Sequence, residues 1–576
     1  MTCSKIFSGD LPELINEVIK YFRHDYKTLH SCILVNRLWC RLAIPLLWED
    51  PFSIKLPKNY RFIEIYLNNN LNEEDKTKLN EYGINYNKLL LPSNTSNNSL
   101  FNYPNFIKCL NTWKIIFSIE QWILTIINVK AGLQSTNYFL KNMYPNNFDQ
   151  KLNSSRLIYK LLFKIFIENE VKLHTFEVIV VRDIDHDCFN DAFNLILQNQ
   201  DFIFNIKNLK LQRIANGSKI FPFLKFLYSN CNSINSLYFQ FPRFNNNNLL
   251  TEDYLLKIIN SQKNLKKISF ERNYLFKGKF FLSLKNSNCS NTLNTIIFYR
   301  IDFKKIIISN EEFENLNVLE SIHILYCYSL NSDFIQQIIN LKKPFKLKSL
   351  FMDIMLQIDS LNLLLQKSGS YLENIGFGSS ISNELRKQFD LFMKYCKNIK
   401  FFELPGFDNL NIYLSFDLIK ILDQNLNYLS IDFHYYLDYY YHHNFSNDGD
   451  MEPSSIVLLN LGQILPHKLE YLNLSLKFDL NNLEIFLQNS QNTFIKKLLI
   501  RNKMQEGSLN ILPYIKKYIM KKERVKYLAI MEVYFEKRED LSFMKDEVKE
   551  FESYNIKVQN YDDLYIQVYD LIKEMD

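Results

Sequence analysis

The chain has 576 residues, of which 47% are hydrophobic, so global disorder is excluded and a large folded core is expected. This length is too great for one compact core unless the architecture is a repeat. Only 12 residues are glycine, which argues against folds with several glycine-rich phosphate loops. The net charge is only +6 and no strongly basic stripe stands out, so no nucleic-acid partner is expected.

Cysteine usage and the apolar segments indicate a reduced compartment. The nine cysteines are scattered without a CxxC pair, so neither a disulfide framework nor a zinc site is expected. The N-terminus has no signal segment, and the most apolar window, Ile115 to Val129, is too short to span a bilayer. We therefore expect a cytoplasmic or nuclear protein with no membrane association, no metal and no cofactor.

Short helices are the first predicted elements, between Asp10 and Phe52. Pro12 and Glu13 are typical of a first helical turn, Thr28 can cap a second helix, and Pro45 is predicted to end the third. Helical spacing of apolar residues in the first helix is seen at Leu11, Leu14, Ile15, Val18, Ile19 and Phe22. Three short helices cannot enclose much core, so this unit is expected to pack on something else.

Several short motifs in this segment match one known family. They are Leu11-Pro12, Tyr21-Phe22, Asp25, Thr28-Leu29, Val35-Asn36-Arg37-x-Trp39 and Leu47-Trp48. The segment, residues 8–53, resembles an F-box, which docks a substrate receptor onto the adaptor of an SCF-type cullin-RING ubiquitin ligase. It departs from the family at Glu13, because the acidic residue of the LPxE start comes one place early and Leu14 occupies its position.

The F-box resemblance implies contact residues and partners. The adaptor would contact Leu11, Pro12, Ile15, Val35 and Trp39. A cullin would be recruited through the adaptor. The residues expected to hold the module together are Leu34, Leu42 and Trp48.

Residues 54–170 show a weaker pattern. Ile107–Ile127 and Leu157–Ile167 are predicted helices, whereas Asn68–Asn70 and Ser93–Ser99 are predicted polar loops. We interpret the region as a mostly helical connector with Asn-rich loops. The alternative is a degenerate extension of the repeats that follow it.

An apolar-x-x-apolar-x-apolar motif recurs thirteen times in the rest of the chain, with starts mostly 25 to 31 residues apart and single steps of 33 and 43 residues. The motifs begin at Leu173, Ile206, Ile234, Leu265, Leu293, Leu319, Leu347, Leu372, Ile399, Leu426, Leu469, Ile495 and Val525. Within each motif the fourth and sixth residues point to the same side of a strand, which predicts a buried face. Amphipathic segments between the motifs predict helices, and stacked strand–helix units can share a continuous core.

This pattern resembles a leucine-rich repeat solenoid of the longer, helix-containing type. The resemblance implies an α/β fold over residues 171–576, with parallel strands on the concave side and helices on the convex side. The Asn or Cys usual in the family occurs only as Asn273 and Cys327, so the repeats are expected to be irregular. An insertion is predicted near 433–453, and the tail after Tyr534 is predicted to cap the last repeat.

Two polar clusters resemble metal ligands, but simpler explanations are favoured for both. One is Asp183, Asp185, His186 and Asp187, which follow a predicted strand where a polar turn or helix cap is expected and which lack the glycine and distal glutamate of a calcium loop. The other is His434, His442 and His443, which lie in the predicted insertion and fit a partner-contacting or exposed loop. Gly376-Phe377-Gly378 lies inside a predicted strand, and no nucleophile, metalloprotease or P-loop motif occurs, so no enzymatic activity is expected.

The remaining candidate site is the side of the predicted sheet that carries the fifth and seventh residues of each motif. Exposed residues there would form an aromatic strip of the type enriched at interfaces, and they are Tyr238, Tyr299, His323 and Phe351. Glu403 and Asp432 share this side, and the six residues are predicted to bind a protein substrate. The alternative is that neighbouring side chains cover them.

Two functions follow as hypotheses. One is a non-enzymatic substrate-recognition subunit of an SCF-type ligase. The other is a leucine-rich repeat interaction scaffold without ligase association.

Overall fold

The computed structural model describes residues 12–23, 25–54, 60–82, 84, 100–131, 148–213, 220–240, 248–273, 280–284, 288–308, 310–330, 332–352, 356–377, 385–405, 411–432, 451–503, 511–520, 524–534 and 537–575. The protein is of the mixed α/β class, as predicted. It divides into two compact units, residues 1–268 with 286–292 and residues 269–285 with 293–576. The predicted boundaries at residues 53 and 170 both lie inside the first unit.

The first unit is mainly helical. Its described α-helices are α1 (Pro12–Tyr21), α2 (Tyr26–Ile33), α3 (Arg37–Leu47), α4 (Phe62–Asn70), α5 (Glu73–Glu81), α6 (Thr112–Ala131), α7 (Phe148–Glu168), α8 (Asp183–Gln198), α9 (Asp201–Phe204), α10 (Phe221–Asn230) and α11 (Asn248–Ser261). Its strands are β1 (Cys109–Asn111), β2 (Thr175–Ile179), β3 (Asn208–Gln212) and β4 (Ser236–Gln240), and β5 (Lys267–Asn273) begins here and ends in the second unit. Strands β1 to β4 pair in parallel in the order of the chain.

The second unit alternates strands and helices. Its remaining strands are β6 (Thr295–Ile301), β7 (Ser321–Leu325), β8 (Leu347–Met352), β9 (Asn374–Phe377), β10 (Phe401–Pro405), β11 (Tyr428–Asp432), β12 (Lys468–Leu476), β13 (Phe494–Lys503), β14 (Val525–Tyr534), β15 (Lys537–Asp540) and β16 (Lys557–Val558). Its described α-helices are α12 (Phe280–Ser283), α13 (Asn310–Glu314), α14 (Ser332–Asn340), α15 (Ile358–Ser368), α16 (Leu385–Tyr395), α17 (Asn411–Ile421), α18 (Met451–Ile464), α19 (Leu480–Asn489), α20 (Leu512–Tyr518), α21 (Lys545–Glu552), α22 (Tyr561–Leu564) and α23 (Val568–Met575).

The prediction of a strand at each of the thirteen motifs is confirmed, because β2 to β14 coincide with them. Strands β6 to β14 pair in parallel in chain order. The pairs repeat one hydrogen-bond pattern: the carbonyl of His174 accepts from the N–H groups of Lys207 and Asn208 at 2.9 and 3.0 Å. The same double acceptance by the second motif residue recurs at Lys207, Asn294, Glu373, Lys400 and Asn427. The motifs that share this pattern are geometrically equivalent, whereas the β7–β8 pair has a register shift between Ile322 and His323.

Strand β1 was not predicted. The carbonyl of Lys108 accepts from the N–H groups of His174 and Thr175 at 2.9 and 3.0 Å, which is the pattern of the repeats. The predicted helix from Ile107 therefore begins only at Thr112, where α6 starts. This geometry favours the alternative interpretation of the connector as an extension of the repeats.

Cys327, which occupies the family's Asn or Cys position, bridges to the neighbouring repeat by hydrogen bonds. Its thiol donates to the carbonyl of Phe298 at 3.4 Å, and the N–H of Ile301 donates to its sulfur at 3.5 Å. A second bridge was not predicted: the fully buried Asn502 accepts from the N–H of Phe478 at 3.2 Å. Asn502 was missed because it stands one place earlier in its motif than the family pattern expects.

The beginning and end of the short N-terminal helices differ in detail from the prediction. Asp25, not Thr28, caps α2, because its carboxylate accepts from the N–H and the hydroxyl of Thr28 at 3.1 and 2.7 Å. Asn36 caps α3 by accepting from the N–H of Trp39 at 2.9 Å. Pro45 does not stop α3, which continues to Leu47. A proline so close to the last residue disturbs only the final turn, so the helix tolerates it.

The C-terminal tail is predicted to cap the last repeat, and β14 pairs with two strands of that tail, β15 in antiparallel and β16 in parallel orientation. The predicted insertion falls mostly outside the described residues, since 433–450 are not described, and α18 begins at Met451.

Candidate functional site

Helices α1 to α3, the N-terminal module, enclose a small core of their own. Its buried residues are Ile15, Ile19, Leu29, Cys32, Trp39 and Ala43. The module is also tied to the first strand, because the carbonyl of Glu49 accepts from the N–H groups of Lys108 and Cys109 at 3.0 and 3.2 Å. Because the three helices enclose their own core, the side chains left outside that core form the surface of the module.

Five large apolar residues of the module remain exposed. On α1 they are Leu14, Val18 and Tyr21, which are 47%, 41% and 88% exposed and, at i, i+4 and i+7, share one side of the helix. In the turn before α3 they are Leu34 and Val35, which are 77% and 53% exposed. Single exposed apolar residues are ordinary, but a helical stripe of them is typical of a binding surface.

The five predicted adaptor-binding residues differ in their exposure to solvent. Ile15 and Trp39 are only 1% and 9% exposed and pack in the module's core, so they present little surface to a partner, and adaptor contact by them stays a prediction. Val35 is exposed as predicted, whereas Leu11 lies outside the described residues and the side chain of Pro12, at the start of α1, is not described.

The three residues predicted to hold the module together also differ in exposure. Leu34 is exposed rather than structural, whereas Trp48 is buried, with its ring centroid 4.3 Å from that of Tyr103. Leu42 is half-buried beside the core.

The second candidate surface is the strand face, which we define as the third, fifth and seventh motif positions of β6 to β14 together with Ser269 of β5. Residues 561–575, named here the C-terminal segment, lie against it. Val568 and Ile572 pack in one cluster with Ile297, Leu325, Tyr326, Phe351 and Phe401. Tyr561 and Leu564 pack in another with Tyr471, Leu499, Ala529 and Met531. Phe351 and Tyr299 of the predicted aromatic strip are therefore covered by the chain itself.

Tyr569 anchors the far end of the C-terminal segment. Its ring stacks on that of Tyr299 with centroids 4.5 Å apart and an interplanar angle of 17°. Its hydroxyl lies 2.6 Å from the hydroxyl of Ser269. Burial raises the pKa of Tyr569 above its ordinary value, so the phenol stays neutral and can donate this hydrogen bond. Tyr299 is consequently half-buried instead of exposed.

Tyr561 and Ile566 anchor the near end. The Tyr561 hydroxyl donates to Oδ1 of Asn473 at 2.7 Å, and the N–H of Ile566 donates to the Tyr471 hydroxyl at 3.2 Å. Burial and the nearby Asp432 carboxylate raise the pKa of Tyr561. Asp432, predicted to contact a substrate, is itself only 3% exposed.

Two further predicted contact residues are buried by their neighbours in the sheet. Phe351 packs over Gly376 of the adjacent strand, and a Cβ at that glycine would lie 2.3 Å from the Phe351 ring. Nδ1 of His323 lies 2.7 Å from the Ser349 hydroxyl. The prediction that His323 and Phe351 are exposed is wrong, because both are buried in the sheet and Phe351 is also covered by the C-terminal segment.

Glu403 is buried beneath the C-terminal segment, where its carboxylate accepts from the Tyr326 hydroxyl. Tyr326, Glu403, Tyr565, Gln567 and Tyr569 surround a small recess there. In the first unit Tyr238 is also buried, and the ammonium of Lys210 lies 5.1 Å from the centre of its ring. Substrate contact by these residues stays a prediction, but none of the predicted set forms an open surface.

Asp185, in the polar cluster after β2, has a capping role. Oδ2 of Asp185 accepts from the N–H groups of Val181 and Arg182 at 3.1 and 2.9 Å, at the start of α8. The histidines His434, His442 and His443 lie outside the described residues. Across the described ranges, no group of three or more His, Cys, Asp or Glu side chains is placed to hold a metal ion.

The role of the C-terminal segment was missed in the sequence. A signal existed, because Tyr561, Leu564, Val568 and Ile572 recur at spacings of three and four and are all buried. Such a stripe requires a surface to pack on, and the strand face supplies it. Local pattern does not reveal that surface, since Ser269 and Tyr569 are 300 residues apart.

Comparison with protein-family models and with curated proteins found no match to this chain. In the part of the chain that the structure describes, no helix combines the length and apolar character needed to cross a bilayer.

Proposed function

We propose that the protein is a non-enzymatic substrate-recognition subunit of an SCF-type cullin-RING ubiquitin ligase. The N-terminal module docks the ligase adaptor, and the repeats hold a protein substrate. Ubiquitin transfer is then promoted by proximity, since holding two reactants together lowers a barrier without any acid or base from this chain.

The observation that carries the proposal is the exposed apolar stripe on a module with its own core. Leu14, Val18 and Tyr21 share one side of α1 although the buried residues Ile15 and Ile19 already fill the interior. An apolar stripe that the interior does not need is best explained by a partner, and binding energy at interfaces is concentrated in a few such anchors. Leu34 and Val35 add exposed apolar area in the turn before α3.

The test is co-purification of the whole chain with the ligase adaptor. Leu14→Ser combined with Val18→Ser should abolish or strongly reduce the complex, because both side chains are exposed and their loss leaves the module's core intact. The matched control is Glu13→Ser combined with Glu17→Ser, which changes exposed positions of the same helix. Equal binding by both double variants would exclude the stripe of α1 as the docking surface. No binding by the intact chain would favour the scaffold without ligase association.

A further inference from the structure

The C-terminal segment lies where a partner of the strand face would bind. We propose that it is an intramolecular ligand, and that the partner recognised there is a protein segment of the same chemistry. Such a segment carries tyrosines and branched aliphatic side chains three and four residues apart, and it binds by displacing residues 561–575. That this partner is a ligase substrate rests on the function proposed above, whereas the displacement itself does not.

The first argument is the way in which the C-terminal segment is attached. Strand β16, just before it, joins the sheet by pairing with β14, and Gln559 N–H donates to the Leu528 carbonyl at 2.9 Å. Beyond that point the backbone of the segment is paired with no strand. Tyr565 N–H donates to the Tyr561 carbonyl at 2.8 Å and Leu571 N–H to the Gln567 carbonyl at 3.0 Å. The N–H groups of Tyr561 and Ile566 donate to side chains, those of Asp540 and Tyr471. Its attachment to the strand face is mainly through side chains. The segment can therefore leave without breaking a pair of strands.

The second argument is the chemistry of the contacts. A tyrosine hydroxyl is held near each end, Tyr561 by Asn473 and Tyr569 by Ser269. Leu564 and Val568, between these two tyrosines, and Ile572, just beyond Tyr569, pack on apolar parts of the strand face. Two polar anchors that fix position and an apolar centre that supplies burial are the organisation of a specific peptide site.

The third argument is competition. A tethered ligand acts at an effective concentration of about millimolar, so a free segment of equal affinity at micromolar concentration cannot displace it. The intact chain should therefore bind such a segment weakly, and weakening the chain's own segment should open the site. Only a partner that binds the strand face more tightly than the C-terminal segment, or at a higher concentration, would therefore displace it.

The probe is a fluorescent peptide of residues 556–576, and its binding to the full chain is followed by anisotropy. Ile572→Asp places a charge in a buried apolar contact of the segment, so this variant should bind the peptide at least tenfold more tightly than the intact chain. Asp570→Asn, at an exposed position of the same helix, is the matched control and should bind it as weakly as the intact chain. A peptide with Tyr569→Phe should bind the Ile572→Asp variant several-fold more weakly.

A second design leaves every contact of the C-terminal segment in place. A specific protease site is introduced at the exposed turn 552–555, and the cleaved protein is mixed with the labelled peptide. Exchange of the peptide into the cleaved, folded protein supports the proposal. Unfolding on cleavage, or no exchange while the protein stays folded, would overturn it by showing that the segment is a permanent part of the core. Adaptor co-purification is measured on the same samples, so failure of the ligase function is distinguished from failure of displacement.

Discussion

The N-terminal module and the strand face of the second unit both carry apolar residues beyond what local packing needs, yet they differ in what covers them. On the module, Leu14, Val18 and Tyr21 stay exposed beside a closed core. On the strand face, Ile297 and Phe351 are completely buried by neighbouring strands and by the C-terminal segment. An apolar pattern thus shows which residues need a partner surface, while only the fold shows whether the chain itself supplies one.

The largest expected effect on stability is on the strand face. Phe351→Ala should destabilise the second unit by about 3–5 kcal/mol, because it removes a fully buried ring and leaves a cavity. Gly376→Ala should cost about 1–3 kcal/mol, because its new methyl group would meet that ring. Chemical denaturation of both single variants and of the double variant measures the coupling. If the strand face is packed as described, the cost of Gly376→Ala largely disappears in the Phe351→Ala background.

A smaller contrast is expected between adjacent residues of α1. Ile15→Ala should lower the stability of the module by about 2–5 kcal/mol, since Ile15 is buried in its core. Leu14→Ser should change it by only about 0.5 kcal/mol, because Leu14 is exposed. Hydrogen exchange of α1 to α3 reports both changes. A large loss of protection in Leu14→Ser would mean that the exposed stripe is part of the core.

The region that anchors the C-terminal segment should respond to pH. Burial and the facing Glu539 raise the pKa of Glu532 to about 7 from its ordinary value of 4.5. Its neutral form is favoured in the folded state, so the stability it contributes is fully present below about pH 4.5 and is lost as the pH rises through about 7. The adjacent Asp540 accepts from the N–H of Tyr561 at 2.9 Å, which connects this hairpin to the C-terminal segment.

Glu532→Gln tests this dependence. The variant should be more stable than the intact chain by about 1–3 kcal/mol at pH 8 and nearly equal to it at pH 4.5. Melting temperatures across this range measure the difference, with the exposed Glu552→Gln as control. A stability gain that is the same at both pH values would exclude titration of Glu532 as its cause.

What the sequence predicts well is local and repeated. Thirteen copies of one motif locate thirteen strands, because every copy places two apolar residues on the same side of a strand. Strand β1 escaped prediction because only Ile107 and Leu110 carry its pattern, directly before a long apolar helix. The predicted helix end at Pro45 was wrong for a related reason. The effect of a proline depends on its distance from the end of the helix, and α3 continues to Leu47.

The candidate sites were harder to predict than the fold. The apolar stripe of α1 is wide enough to allow either Leu14 or Ile15 to face inward, and packing against Leu29 and Trp39 decides in favour of Ile15. Whether the strand face is covered depends on contacts such as that between Ser269 and Tyr569, which no local pattern encodes. Residues that recur in register are therefore predictable, whereas contacts between a repeat and a distant tail are not.

Hydroxyl-radical footprinting of the intact chain, alone and with the ligase adaptor, tests the central contrast most directly. In the free chain Tyr21, Leu34 and Val35 should be labelled strongly, and Tyr299, Phe351 and Tyr569 should be protected. The adaptor should protect the first group alone, and Ile572→Asp should expose the second group alone. Strong labelling of Tyr299 and Phe351 in the intact chain, or no protection of Tyr21 and Leu34 by the adaptor, would contradict the account.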